Sequence, residues 1–209
     1  MRKAHRDPNA VAPHLGSYSR GFLPHIDQPE LSQFVTFRLG DSLPSSLLAE
    51  WKLELKPSPQ NQVEAELRRR TAEYIDRGAG ECHLAIAECA EAVVNCLRYR
   101  DNIDYHLHAY VVMPNHVHVL ATLTSRLGLA EVVRAWKGIT ARAINEHLGR
   151  MGQVWAREYF DRFIRDAAQF NEVVKYIGQN SVSTGLCECA EEWPYSSAYD
   201  ETCVRRPNA

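Results

Sequence analysis

The chain has 209 residues, with 24 Lys and Arg against 26 Asp and Glu for a formal net charge of −2, and 45% of it is hydrophobic. That size and apolar content suit one domain with its own core. A net charge near zero excludes a uniformly basic nucleic-acid coat but permits a basic patch balanced elsewhere. No apolar run reaches the roughly 18 residues of a membrane helix, and the first residues lack the apolar stretch of a signal peptide, so no membrane partner and a cytoplasmic location are expected.

Residues 1–30 carry four prolines and no sustained period, which predicts an extended N-terminal arm, positive through Arg2, Lys3, Arg6 and Arg20. One domain is expected over 31–200 and a short tail over 201–209. The run 33–39, Gln-Phe-Val-Thr-Phe-Arg-Leu, has the β-branched and aromatic content of a strand. Helical patterns follow over 47–56, 63–76 and about 84–97. Cys82, Cys89 and Cys96 recur every seven residues, as in a buried helix stripe, and with Cys187, Cys189 and Cys203 they form no C-x-x-C pair, so all six are expected as free thiols.

Residues 104–113 and 116–124 are two β-rich runs separated by Pro114-Asn115, which is hairpin chemistry. A long helix is expected over 129–148, with Leu129, Val132, Val133, Trp136, Ile139, Ala143 and Leu148 on its apolar side and Arg134, Lys137 and Asn145 on the other. A loop with Gly149 and Gly152 leads to a last helix over about 167–180. The order of strand, helices, hairpin and helices predicts an α+β fold with an antiparallel sheet.

Three features bear on chemistry. His116 and His118, two apart on a strand just after the Pro-Asn turn, project from one face, and two imidazoles so placed share a divalent cation. The same spacing also describes a pair of half-exposed strand histidines, and His106 and His108 repeat it on the preceding strand, so spacing alone leaves both readings open. On the last helix Tyr176 and Asn180 lie one turn apart beside the apolar stripe of Phe170, Val173, Val174 and Ile177. Tyr176 there is either a nucleophile facing the sheet or a residue bordering the core. Finally, nine Lys or Arg face six Asp or Glu over 126–175, interleaved with Trp136, Trp155, Tyr159, Phe160 and Phe163. Arg134, Lys137, Arg142, Arg157, Arg162, Arg165 and Lys175 are the expected DNA contacts, since phosphates attract cations and unstacked bases attract flat partners. A solvated helix face over buried aromatics has the same composition.

The ordered set 33–39, 109–120 (Ala-Tyr-Val-Val-Met-Pro-Asn-His-Val-His-Val-Leu), Trp136-Lys137 with Thr140-Ala141, 158–162 with 164–166, Tyr176-Ile177 with Asn180, and 193–197 (Trp-Pro-Tyr-Ser-Ser) resembles the tyrosine transposases of the IS200/IS605 type. It resembles most closely the REP-associated tyrosine transposases of the HUH endonuclease superfamily. The resemblance implies a ferredoxin-like antiparallel sheet flanked by helices and Mg²⁺ or Mn²⁺ on His116 and His118 with Asn180 as a third ligand. It further implies Tyr176 as nucleophile and a single-stranded DNA endonuclease and strand transferase acting at REP-type hairpins through a 5′-phosphotyrosine. The REP-associated group implies a monomer acting in cis; insertion-sequence members imply a dimer acting in trans. Where the family commonly has Asn-Pro-Val-Lys, this chain has Asn180-Ser-Val-Ser183, which leaves the helix stop open. The alternatives of another class are a domesticated hairpin-binding protein that no longer cuts, and a zinc hydrolase unrelated to DNA.

Overall fold

The computed structural model describes residues 16–19, 24–27, 30–57, 59–124 and 127–200. Its main sheet is built from β3 (Ser32–Arg38), β4 (Tyr105–Val112), β5 (His116–Leu123) and β6 (Phe160–Phe163), in the order β4-β5-β3-β6 with every pair antiparallel. Numbered among themselves these strands run 2-3-1-4, with helices before the second and after the third, which is the ferredoxin-like arrangement the sequence implied.

Alternation along β3 and β5 divides the core in two. Val35, Phe37, Val117, Val119 and Ala121 point to the face covered by α3 (Ala87–Tyr99) and α4 (Leu129–His147). Phe34 and Leu120 point to the other, where α5 (Ala167–Ser183) lays Val173 and Ile177 on the sheet. Both faces of β5 are therefore covered, and the strand is buried at all but one position. In the α3/α4 layer the Trp136 indole donates to the Tyr105 hydroxyl at 2.9 Å, and that hydroxyl donates to the Leu97 carbonyl at 2.6 Å.

Between β3 and α3 the chain inserts α1 (Ser45–Leu55) and α2 (Gln60–Asp76). Arg70 of α2 pairs with Glu54 of α1 at 2.6 Å. The outer edge of β4 is closed by residues 195–197, where Val112 N–H donates to the Tyr195 carbonyl and Ser197 N–H to the Tyr110 carbonyl.

Three expectations change. Within the arm, β1 (Gly16–Ser19) and β2 (Pro24–Asp27) pair as an antiparallel ribbon, so part of it is a sheet; Arg2, Lys3, Arg6, Arg20 and the tail from 201 lie outside the described residues. Cys82 is not on the α3 stripe: it precedes a short 3-10 turn with φ of 51°, while Cys89 and Cys96 are buried in the helix. Cys82, Cys89, Cys96, Cys187 and Cys189 are not joined in disulfides, and Cys203 is outside the described residues. Ile139 is 45% exposed, because the core stripe of α4 steps from Trp136 to Thr140 and Ile144. Among the described residues no helix is long and apolar enough to cross a membrane.

Candidate active site

The site begins at the tight loop between β4 and β5. Pro114 and Asn115 make the two-residue connection, closed by Met113 N–H donating to the His116 carbonyl at 2.8 Å. Asn115 is buried, and its amide nitrogen donates to the carbonyls of Ile75 and Ala79 at 2.9 and 2.8 Å. With both hydrogens so committed, its Oδ1 faces His116 Nδ1 at 2.7 Å as an acceptor. A flipped amide would set oxygen against two carbonyls, so the network fixes the orientation.

His116 and His118 are 0% and 2% exposed, which overturns the half-exposed reading of the pair. Their Nε2 atoms are 3.1 Å apart. Burial holds His118 at a pKa of about 3 and His116 well below the ordinary histidine value, so both rings are neutral. His118 Nδ1 meets the Thr36 hydroxyl at 2.7 Å, across the β3–β5 ladder. Asp76, the last residue of α2, brings a carboxylate to this pair: its Oδ1 lies 3.3 Å from His116 Nε2. Burial pushes the Asp76 carboxyl up to about 6.

These atoms fit a divalent cation. His116 Nδ1–H donates to Asn115, so His116 Nε2 presents a lone pair to Asp76 Oδ1, itself a buried oxygen with no hydrogen-bond donor. Two acceptors face each other with no proton between them. Asp76, His116 and His118 each offer one atom within 4.8 Å of the others, a hard and borderline donor set suited to a divalent ion. Asn180, one turn beyond Tyr176, is buried with Oδ1 unpartnered.

Tyr176 is 40% exposed, yet its hydroxyl lies inward, 3.4 Å from His118 Nε2. Burial and the nearby Asp76 carboxylate raise the phenol's pKa, and a hydrogen bond with Asn180 opposes them. The bordering-the-core reading thus describes only one edge of the ring. α5 reaches this position because Asp166 caps its start, accepting from Gln169 N–H at 2.8 Å. The Asn-Ser-Val-Ser departure resolves as a longer helix. Without proline α5 continues to Ser183 and stops at Gly185, whose φ is 74°, with Leu186 N–H returning to the Ser181 carbonyl.

Two cavities sort the basic residues. Tyr176 and His118 open onto a cleft of about 650 Å³ between the α1–α2 insertion and β3, β6 and α5, lined also by Phe34, Arg38, Arg68, Phe160 and Arg162. Arg68 lies over the Phe160 ring at 4.7 Å and Arg162 over Phe34 at 6.0 Å. A second cavity of about 350 Å³ gathers Arg134, Lys137 and Arg157 beside Trp155 and has no carboxylate in its lining. Lys137 Nζ donates to the carbonyls of Ala156 and Arg157, and burial lowers its pKa to about 8. Arg142, Arg165 and Lys175 are exposed and line neither cavity. His106 and His108 are also exposed and stand apart from the cluster.

Sequence reasoning missed Asp76, Asn115, Thr36, Arg38 and Arg68. Asn115 alone carried a local signal, as the residue between the turn proline and the first histidine.

Residues 83–180 match the family profile described as "Transposase IS200 like". The chain is 26% identical over 101 residues to a REP-associated tyrosine transposase of Escherichia coli K12, an alignment covering 48% of this chain and 59% of that protein's length. It is 24% identical over 141 residues to a Haemophilus influenzae protein provisionally given the same description, covering 63% and 74%. Among solved structures it is similar to a REP-associated tyrosine transposase bound to a REP hairpin, at 17% identity and a TM-score of 0.49, covering 88% of this chain and 82% of that one. The profile match contains His116, His118, Tyr176 and Asn180 in order, and over this stretch, just under half of its length, the chain is similar to the IS200-like transposases.

Proposed function

We propose that this chain is a metal-dependent single-stranded DNA endonuclease and strand transferase acting at REP-type hairpins, with Tyr176 as nucleophile. The observation that carries the reading is the 3.4 Å approach of the Tyr176 hydroxyl to His118 in a buried cluster of two histidines and an aspartate. The IS200-like family and the REP-associated relatives support the substrate class.

His116, His118 and Asp76, with Asn180 as the sequence-implied ligand, would hold Mg²⁺ or Mn²⁺, which when bound withdraws charge from a non-bridging oxygen of the scissile phosphate. Tyr176 Oη attacks phosphorus and gives its proton to solvent, the bond between phosphorus and the 3′ oxygen breaks, and that oxygen takes one proton back from solvent to leave as a 3′-hydroxyl, so that protons balance. The 5′-phosphotyrosine retains the energy of the phosphodiester, so an incoming 3′-hydroxyl reverses the step and joins a new strand without ATP. Phe34 packs against both rings and excludes water from the side nearest the sheet. Arg38 and Arg162 line the cleft where the strand's phosphates would run; Arg134, Lys137 and Arg157 give a second phosphate contact, and Arg142, Arg165 and Lys175 outer ones. Tyrosine and histidines come from one chain, which supports action in cis by a monomer.

The test is incubation with labelled hairpin oligonucleotides bearing single-stranded flanks, with Mg²⁺ or Mn²⁺, followed by denaturing electrophoresis. A covalent adduct lost in Tyr176→Phe and His116→Ala is expected. Hairpins shifted in a native gel but uncut with either metal would replace the nuclease by the non-cleaving binding protein, and cleavage only with Zn²⁺ and without DNA selectivity would favour the hydrolase.

A further inference from the structure

We propose that Asn115 and Thr36 are positioning residues that treat the two histidines differently: Asn115 locks the tautomer of His116, and Thr36 leaves that of His118 reversible. The proposal rests on the reading of this cluster as a cation site.

The asymmetry follows from the partners. Asn115 Oδ1 can only accept, and its amide nitrogen is held by the Ile75 and Ala79 carbonyls, so His116 keeps its proton on Nδ1 and its lone pair on Nε2. The Thr36 hydroxyl either donates or accepts. His116 Nε2 and His118 Nε2 are 3.1 Å apart, and two lone pairs do not tolerate that distance. Without a cation, one self-consistent chain satisfies both rings and leaves Asp76 Oδ1 without a donor: Thr36 O–H donates to His118 Nδ1, His118 Nε2–H donates to His116 Nε2, and His116 Nδ1–H donates to Asn115.

A cation needs both Nε2 lone pairs. His116 already offers one. At His118 one proton leaves Nε2 and one is gained at Nδ1, with no change in ring charge, and the Thr36 hydroxyl rotates from donor to acceptor. Loading thus requires one tautomer change, at the histidine whose partner permits it. The same Asn115 amide holds the carbonyls at positions 75 and 79, so the residue that locks His116 also fixes the helix end that presents Asp76.

Long-range ¹⁵N–¹H correlation spectra of the full chain read each ring's protonated nitrogen. In the metal-free protein His116 is expected as Nδ1–H and His118 as Nε2–H. With Zn²⁺ as a diamagnetic probe, His118 changes to Nδ1–H and His116 does not. Mn²⁺ affinity by electron paramagnetic resonance should fall about 10- to 100-fold in Thr36→Val and recover in Thr36→Ser, with the His116 spectrum unaltered in both, in line with other residues that orient metal-bound histidines. Asn115→Ala should show a mixed His116 tautomer; if it does not fold, the wild-type spectra and the Thr36 variants still decide. A metal-free His116 protonated on Nε2, or unchanged Mn²⁺ affinity in Thr36→Val, overturns the proposal. Failure of wild-type protein to bind either ion overturns the cation site and the His118 half together, whatever the DNA assay gives.

Discussion

The ring of Phe34 stacks on the imidazole of His118 with centroids 5.4 Å apart and planes at 25°, and meets Tyr176 edge-on at 5.9 Å. One side chain from β3 therefore sets the ring planes of the paired groups on β5 and α5. Phe34→Leu keeps an apolar filler but loses both ring contacts. It should cost about 1 kcal/mol in stability, the typical worth of an aromatic pair beyond its buried area. Cleavage should fall by more than hairpin affinity does, because the lost contacts orient the reacting groups. Single-turnover rates beside binding isotherms check this, and equal losses in the two would reduce Phe34 to a core residue.

Asp76 carries a second expectation. In the metal-free protein its carboxylate opposes the His116 lone pair at 3.3 Å, with no donor on Oδ1. Asp76→Asn removes that repulsion and supplies a donor, so in chelator the variant should be more stable than wild type, by on the order of 1 kcal/mol. The added stability that Mn²⁺ gives wild type through preferential binding to the folded state should shrink in the same variant. Paired thermal melts with and without Mn²⁺ measure both. A variant less stable in chelator would show Asp76 to be a structural acceptor.

How much of this was legible depended on the range of the signal. The β4–β5 hairpin and the shared face of His116 and His118 follow from Pro114-Asn115 and a period of two, both local. The pairing of Tyr176 with His118 needed the docking of α5 on the sheet, and only the family resemblance carried it. Asp76 was invisible, because an aspartate ending a charged helix has an ordinary composition. Its place in the site comes from hydrogen bonds that Asn115 makes with the carbonyls of Ile75 and Ala79. Ile139 went wrong for the opposite reason: its spacing from Trp136 fits a helix stripe, but α4 turns Thr140 and Ile144 inward instead.

The end of α5 tests the departure from the family's proline. Ser181 is fully buried inside the helix, and its carbonyl receives Leu186 N–H at 2.9 Å. Ser181→Pro would remove a helical N–H and press a ring on the preceding turn, a loss of about 3 kcal/mol. Gly185→Ala places a side chain at a φ of 74° and should cost about 1 kcal/mol. Denaturant unfolding of both variants gives the ranking, and a neutral Ser181→Pro would mean that the last turn beyond Asn180 adds nothing to stability.

Lys137 gives a pH dependence of known sign. Its folded pKa is lowered to about 8 from 10.5, chiefly by burial. As pH rises from about 8 toward 10.5 the folded chain has released a proton that the unfolded chain still holds, so this group makes stability rise across that window; its penalty is fully present below pH 8. Hairpin binding should move the other way. Above pH 8 the cavity shared with Arg134 and Arg157 loses one of three cations, and affinity should drop about two- to fivefold between pH 7 and 9, the scale of one partly exposed ion pair. Lys137→Arg stays charged throughout and should flatten that step while binding comparably at pH 7. Titrations of both proteins with the same hairpin at fixed ionic strength measure it. An equal decline in the arginine variant would place the titrating group elsewhere and remove Lys137 from the DNA contacts.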